Sequence, residues 1–550
     1  MLINRRQKNK RKKSEEKLEA LQYEFVTDLK DTPFSASLED NKKQLEQLFK
    51  DSSDFVVLEF EIEESVKALA VFIDGLVNSQ EVNEALQALM ILEGQAQTAK
   101  KLARTSIPSG QMKISDNYAD VLLGILGGDT AILLEGEREV ILLGLRGPST
   151  RSIAEPETES VVRGPREGFI ENLRTNTSML RRKLRTPHLK MKPFVLGKQT
   201  NTNIVISYMD QIADPAIVEE VERRLHKIEI DAILESAYVE ELIQDSTYSP
   251  FPQIQITERP DTVAASLLEG RVAIFVDGTP FVLIVPTVFW QYMQASEDYY
   301  ERFWVTSIIR VLRYILLLLS LTTPALYVAI TTFHQDLIPT SLMLSIAAAR
   351  EAIPFPAVIE ALLMEIIFES LREAGVRLPK AVGSALGILG ALVIGQAAVT
   401  AGIVSAPVVI VVSLTGIASF AIPRYNAAIA VRLLRFPIMF LGAIFGIYGI
   451  LLGLFILLGH LANLRSFGIP YLAPAAPLTL RDMKDTIIRA PIHMMHKRPK
   501  FMPHSNDRRV SAGFKQELNE QSGQKGADLG HTEDTAQNQG GEAHEDNKNG

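Results

Sequence analysis

The chain has 550 residues, a formal net charge of −8 and no cysteine. A negative net charge offers no general attraction for nucleic acid, so nucleic-acid binding is not expected. The absence of cysteine excludes disulfide bonds, thiolate metal sites and cysteine nucleophiles, although it does not identify a cellular compartment.

The N-terminal end is basic from Arg5 to Lys13, and no apolar stretch follows it. A secretory signal needs such a stretch, so we expect the N-terminal region to stay in the cytoplasm. Residues 1–50 are predicted to form a basic flexible tail with a short helix near Lys42–Lys50. The basic residues suit either a solvated tail or contact with anionic lipid.

Residues 51–150 alternate between strand-like and helix-like patterns, which predicts a first α/β subdomain. Apolar residues at helical spacing between Val77 and Met90 predict a helix. Runs rich in β-branched and aromatic residues predict the strands Phe55–Ile62, Val66–Ile73, Thr130–Leu134 and Glu139–Leu143.

Residues 201–300 repeat this organisation, which predicts a second α/β subdomain. Asn203–Tyr208 is a predicted strand, and Asp214 followed by Pro215 is typical of a helix start. A predicted hairpin with an Asp-Gly turn at 277–278 follows.

A weak internal similarity links the two subdomains. When Asp74 is aligned with Asp210, apolar and acidic positions of the following helices coincide, which indicates that the subdomains are related. Residues 151–200 are basic and predict a helical linker between them. This linker either pairs with acidic neighbours or forms a docking surface for another subunit or for lipid head groups.

Long apolar runs predict a transmembrane helical domain over residues 301–465. A spanning helix needs about 20 apolar residues. The candidate spans are Tyr314–Phe333, Ala381–Val404, Ala406–Ile422 and Pro437–His460. Arginines before the first run place the N-terminal region in the cytoplasm, but about four to six segments fit the pattern, so the side of the C-terminus stays open.

Glycines recur at short, regular spacings within two of these runs. Small residues on one helix face allow another backbone to approach closely. The predicted helix-packing residues are Gly383, Gly387, Gly442, Gly446, Gly449 and Gly453.

The segment from Pro354 to Glu373 is mostly apolar but contains several glutamates. A carboxylate inside a bilayer costs roughly 2.5–3.5 kcal/mol, so it has to face protein, water or a partner charge. One interpretation is an amphipathic helix lying in the membrane interface. The other is a helix at the axis of an oligomer, where it lines a pore with carboxylates and an apolar constriction. The candidate pore and gate residues are Glu360, Leu363, Met364, Glu365, Ile367 and Glu369.

Residues 466–502 are a predicted basic juxtamembrane segment, and 503–550 a predicted disordered tail. The fold class is therefore predicted as an α/β N-terminal region of two related subdomains, followed by a polytopic α-helical membrane domain. No catalytic motif is found, since the Gly197-Lys198 pair lacks the spacing of a P-loop. We expect no enzymatic activity, no cofactor and no metal.

Several short segments together form a specific pattern. Residues 162–178 read VRGPREGFIENLRTNTS, residues 353–356 read IPFP and residues 360–365 read EALLME. Arg377-Leu-Pro379 and the hairpin FVDGTP at 275–280 belong to the same pattern. It resembles that of the GerA family, the A subunits of bacterial spore germinant receptors, over roughly residues 50–500.

The resemblance implies a multi-pass protein of the spore inner membrane whose N-terminal domain faces the spore core. It implies a transporter-like B subunit that binds the nutrient, a lipoprotein C subunit, and a homo-oligomeric ring that forms a nutrient-gated cation channel. An A-subunit-like protein of the dipicolinic-acid channel operon fits the same motifs.

Two other functions stay open at this point. Broken helices also occur in secondary transporter subunits, although no inverted repeat of spans is present here. A membrane scaffold that anchors other germination proteins and conducts no ions is the second alternative.

Overall fold

The protein is described by a computed structural model over residues 32–62, 66–91, 112–147, 155–377 and 393–502, with 506, 507 and 509. The basic run from Arg5 to Lys13, the glycines Gly383 and Gly387, and most of the C-terminal tail lie outside these residues. The expectations for those segments therefore stay predictions.

A five-stranded antiparallel sheet forms the first half of the α/β region. Its elements in chain order are α1 (Leu38–Leu48), β1 (Phe55–Ile62), β2 (Val66–Ile73), α2 (Ser79–Met90), β3 (Met112–Ser115), α3 (Tyr118–Leu126), β4 (Thr130–Leu134) and β5 (Val140–Leu143). The strand order is β1-β2-β4-β5-β3. Alternate residues of β2 face opposite layers, because Leu69 and Val71 pack with α1 and α3, whereas Ala70 and Phe72 pack with α2.

The second half of the α/β region repeats this arrangement. Its elements are α4 (Leu173–Lys183), β6 (Leu189–Leu196), β7 (Thr202–Met209), α5 (Pro215–His226), α6 (Ser236–Ile243), β8 (Gln255–Thr257), α7 (Pro260–Leu267), β9 (Val272–Val276) and β10 (Val282–Val285). The strand order β6-β7-β9-β10-β8 matches that of the first sheet position by position. The offset of 136 residues between β2 and β7 and between α2 and α5 equals that between Asp74 and Asp210.

Residues 151–200 differ from the predicted helical linker. They contain α4 and β6, the first helix and the first strand of the second half. β6 lies at the edge of its sheet, and it contains Pro193 together with Lys190 and Lys192. Edge strands tolerate proline and charge, and these residues interrupt the alternation by which a strand is recognised in a sequence.

A buried ion pair joins the two halves. Arg181 of α4 donates from Nη2 and Nε to the two carboxylate oxygens of Asp54, at 2.8 and 2.9 Å. Arg174 pairs with Asp74 at 3.0 Å. The basic residues of α4 thus pair with acidic neighbours in the first half, as one of the two sequence interpretations expects.

The C-terminal part is helical. Its helices are α8 (Phe303–Phe333), α9 (Thr340–Arg350), α10 (Ala357–Arg377), α11 (Ala406–Phe420) and α12 (Tyr425–Asn463). Within the described ranges, α8 and α12 are long and apolar enough to cross a membrane, and α11 is a shorter apolar helix. An α/β N-terminal region followed by a helical part is thus confirmed.

The chain reverses direction inside α12, at Gly446, whose φ of 64° and ψ of −145° are not helical. A Cβ atom on Gly453 would lie 3.0 Å from Cδ1 of Leu441 and 3.4 Å from Cγ1 of Ile438. In a straight helix, positions 441 and 453 would be about 18 Å apart. Residues 425–445 and 447–463, here called the first arm and the second arm, therefore form an antiparallel hairpin.

The prediction of Pro437–His460 as one span is wrong for this reason, because the segment turns back at its centre. Glycine tolerates the positive φ that the reversal needs, and the apolar character of both arms conceals the turn in the sequence.

The segment after the second arm returns to the α/β region through the short strands β11 (Arg465–Ser466) and β12 (Ile469–Pro470). Ser466 Oγ donates a hydrogen bond to Gln253 O at 2.7 Å, and Phe467 N donates to Asp245 Oδ2 at 2.6 Å. Met502 is fully buried in the core of the second half. Both ends of the hairpin thus lie towards the α/β region.

Candidate functional site

Helix α10 carries all six candidate pore residues, and it runs alongside α11. Near its start, Glu360 Oε2 accepts a hydrogen bond from the backbone N of Ser405, which precedes α11, at 2.9 Å. Near its end, Arg372 Nη2 donates to Ser419 Oγ in the last turn of α11, also at 2.9 Å. The two helices are therefore parallel neighbours, and α10 does not lie across the end of the helical bundle.

The carboxylate of Glu360 is turned into the chain and is 0% exposed. It accepts from Arg350 Nε at the end of α9, at 3.1 Å, in addition to the backbone of Ser405. Because a buried carboxylate needs a partner charge or hydrogen-bond donors, these contacts fix the first turn of α10.

Glu365 is 2% exposed and forms a buried ion pair with the first arm of the hairpin. Its Oε2 accepts from Arg435 Nη1 at 2.5 Å. The same guanidinium donates from Nε to Ser320 O and from Nη2 to Ser320 Oγ of α8, at 2.9 and 3.2 Å. One arginine thus links α10, α8 and the hairpin.

Glu369 continues this row of charges one turn further along α10. Its Oε1 lies 3.2 Å from Arg432 Nη1, and its Oε2 lies 3.4 Å from Arg372 Nη1. Arg432 precedes Arg435 by three residues, so both guanidinium groups leave the same face of the first arm. The first arm therefore holds α10 at two successive levels.

The opposite side of α10 is open. Its exposed residues recur at intervals of seven, four, three and four, which places them in one stripe along the helix. The stripe consists of Ile359, Ile366, Ser370, Glu373 and Arg377, and the exposed Ala374 lies beside it. Leu363, Ile367 and Glu369 are partly exposed, whereas Met364 is buried with Glu360 and Glu365.

The four predicted packing glycines within the described residues make close contacts, but not on one helix face. A Cβ on Gly442 of the first arm would lie 3.4 Å from the Cβ of Ala325 in α8. Gly449 and Gly453 of the second arm face the first arm, and Gly446 is the point of reversal. Close helix packing is therefore present on two arms that face different neighbours.

Sequence reasoning missed the arginines that pair with α10. From the sequence alone, Arg432 and Arg435 are positive charges that flank the apolar run Ala406–Ile422. Their spacing of three, inside a helix that is otherwise apolar, matches the spacing of about one turn between Glu365 and Glu369. These matching spacings are the feature of the sequence that indicates ion pairs between the two helices.

A metal or cofactor site is not part of this geometry. Within the described ranges, no group of three or more His, Asp or Glu side chains is placed to hold a metal ion.

Comparison with known proteins assigns the whole arrangement to one family. The profile described as "Bacillus/Clostridium GerA spore germination protein" matches residues 43–501. A Bacillus subtilis (strain 168) protein described as "Uncharacterized membrane protein YfkQ" is 50% identical over 89% of this chain and 95% of its own length. "Spore germination protein KA" of the same strain is 45% identical over 84% of this chain and 86% of its own length.

One solved structure is similar in sequence to the α/β region. It is the N-terminal domain of the A subunit of the Bacillus megaterium spore germinant receptor GerK3, with 35% identity and a TM-score of 0.37. The match covers 47% of this chain and 98% of that domain.

Proposed function

This chain belongs to the Bacillus/Clostridium GerA family of spore germination proteins, and we propose that it is the A subunit of a nutrient-responsive germinant receptor. In this proposal, several copies form a ring in the spore inner membrane, and the ring is a gated cation channel. The α/β region faces the spore core, and a transporter-like B subunit and a lipoprotein C subunit complete the receptor.

The observation that supports a channel is the open stripe of α10. This helix lies parallel to apolar helices, yet its free side passes from Ile359 and Ile366 to Ser370 and Glu373. Around a symmetry axis, the isoleucines would form an apolar constriction of the kind that gates channels. Glu373 accepts hydrogen bonds from Arg377 Nε and Nη2 at 2.9 and 2.6 Å, so the adjoining ring would consist of paired charges.

The buried candidates have a supporting role in this proposal. Glu360, Met364, Glu365 and Glu369 hold α10 against the rest of the chain, so the lumen is lined by the stripe and by the adjoining Leu363 and Ile367. Nutrient binding on a partner would shift the glycine-packed hairpin, and the arginines of the first arm would carry that shift to α10.

Ion flux from vesicles that contain the purified full-length chain tests the channel. Ile366→Ala widens the proposed constriction, and we expect it to increase potassium efflux about tenfold, which corresponds to about 1.4 kcal/mol in the free energy of opening. Adding Ser370→Trp to Ile366→Ala should reduce the efflux again, because the indole fills the lumen.

The matched control is Ile410→Ala, an isoleucine on α11 that is also exposed but lies outside the stripe. It should leave the efflux at the wild-type level. If Ile366→Ala and Ile410→Ala behave alike, α10 does not line a pore, and the scaffold function gains support.

A further inference from the structure

The segment that follows the hairpin exposes large apolar side chains among cationic ones. Ile488 and Ile492 are 59% and 58% exposed, and Ile487 and Met494 are exposed as well. These four residues are here called the C-terminal patch. Lys484 and Lys497 flank it and are also exposed. A contiguous apolar patch of this kind on a protein surface marks a contact site.

The C-terminal patch is fixed to the base of α8. Ser307 Oγ donates to Arg489 O at 3.2 Å, and Arg489 N donates back to Ser307 Oγ at 3.3 Å. Beside this contact, Arg310 Nη1 lies 2.7 Å from Asp485 Oδ1. Since Arg489 follows Ile488 directly, the position of the patch relative to α8 is determined by these bonds.

The first turns of α8 continue the exposed apolar surface. Trp304 and Ile308 are 69% and 70% exposed and lie one turn apart on the same face. Helix α8 has 31 residues, which is about 46 Å at 1.5 Å per residue and exceeds the hydrocarbon thickness of about 30 Å. About ten residues of α8 therefore extend beyond the hydrocarbon layer. The membrane–water interface, where these residues lie, is the level at which tryptophan is enriched.

We propose that the C-terminal patch, with Trp304 and Ile308, rests in the headgroup layer of the leaflet that faces the α/β region. This inference rests on the proposed membrane-spanning position of α8. The isoleucines and Met494 reach the acyl boundary, while Lys484 extends to anionic head groups. Lys497 lies 2.5 Å from Asp507 Oδ2, so it contributes to that contact only by exchanging this partner. The segment thereby sets the depth of α8 in the bilayer.

A lipid surface fits these residues better than a second copy of the chain. The cores of protein interfaces are depleted in lysine, whereas lysines flanking apolar residues are typical of segments that lie on anionic membranes. Arg489, which follows Ile488, is also bonded to Ser307 in the first turns of α8, between the exposed Trp304 and Ile308.

The absence of cysteine permits a test with single nitroxide labels on the full-length chain in phosphatidylcholine–phosphatidylglycerol vesicles. Labels at Ile488→Cys and Ile492→Cys should collide several-fold more often with oxygen, which concentrates in lipid, than with a water-soluble nickel chelate. A label at Arg138→Cys, an exposed residue in the turn between β4 and β5 of the first half, should show the opposite preference.

Each other result overturns the inference in a different way. Dominant nickel collisions at both patch labels mean that the patch lies in water. Low collision rates with both reagents mean that protein covers it, as a neighbouring copy would. A label at Ile315→Cys in α8 tests the membrane-spanning position of this helix separately from the contact of the C-terminal patch with lipid. Frequent collisions with the nickel chelate at this label would contradict the membrane-spanning position. If the ratio at Ile488→Cys is unchanged when phosphatidylglycerol is omitted, the lysines have no role in the contact.

Discussion

Glu240 shows how the environment of one residue on α6 affects the stability of the α/β region. Burial raises the pKa of the Glu240 carboxyl to about 7, and the nearby Glu235 carboxylate adds to the increase. The folded state therefore binds this proton more tightly than the unfolded state. The resulting stabilisation is complete below the unfolded pKa, near pH 4.5, and is lost as the pH rises through about 7.

We therefore expect Glu240→Gln to stabilise the chain at pH 8 but not at pH 4.5. The amide stays neutral, so the variant should gain about 2 kcal/mol above pH 7 after allowance for partial solvation. Thermal unfolding of the full-length chain in detergent at several pH values measures the difference. Glu241→Gln is the matched control, because Glu241 is the exposed neighbour on the same helix. Equal pH profiles for the two variants would contradict the assignment.

At this scale, local chemistry was predictable and distant pairing was not. Asp214 was predicted to start a helix, and its Oδ1 does accept a hydrogen bond from Ala216 N at 2.9 Å. The pairing of Glu365 with Arg435 spans 70 residues. No periodicity in the sequence connects positions that far apart, so this contact needed the fold.

Among the elements, the hairpin within α12 allows the sharpest test. Because the chain contains no cysteine, the pair Ile438→Cys and Gly453→Cys would be the only one available for a disulfide. The two positions face each other across the arms, so mild oxidation should crosslink them within one chain. Protease cleavage near Gly446 followed by non-reducing electrophoresis would show both fragments still joined.

The control pair Ala443→Cys and Leu458→Cys has the same separation in the sequence but does not face across the turn. It should remain uncrosslinked. In a straight helix each pair would be about 22 Å apart, and neither would form a disulfide. Failure of the first pair under conditions that oxidise other nearby thiols would contradict the reversal.

The strands with regular alternation were predicted within a residue or two of their ends, as Phe55–Ile62 and Val66–Ile73 illustrate. The strand β6 and the turn at Gly446 were not. In β6, proline and lysine at a sheet edge replace the expected alternation. Around Gly446, the spacing of the glycines fits a straight helix with one packing face and also fits two antiparallel arms. Only contacts between distant parts of the chain distinguish these two structures.

For the whole molecule, the structure places the C-terminal segment and the α/β region together. If α8 spans the membrane, a membrane-impermeant thiol reagent should label Tyr248→Cys and Lys500→Cys from the same side. Asp336→Cys, which follows the far end of α8, should be labelled from the other side. Oriented vesicles carrying one cysteine at a time provide the measurement.

Labelling of Lys500→Cys from the same side as Asp336→Cys would contradict this arrangement. It would mean that the chain crosses the membrane an odd number of times before it reaches Lys500. The sequence alone left the question open, because its arginines favoured one side while the apparent number of spans favoured the other. If both arms cross the membrane, the hairpin contributes two passes where the apolar pattern predicts one, and the conflict disappears.

The burial of Met502 in the core of the second half has a consequence for the order of biosynthesis. The other residues of that core lie mostly between Phe194 and Val285, whereas Phe467 and Met502 follow the entire helical part. The first half contains its complete core before synthesis reaches the helices, and it can fold as soon as it leaves the ribosome. The core of the second half stays incomplete until the helical part has been synthesised and the last segment has returned to it.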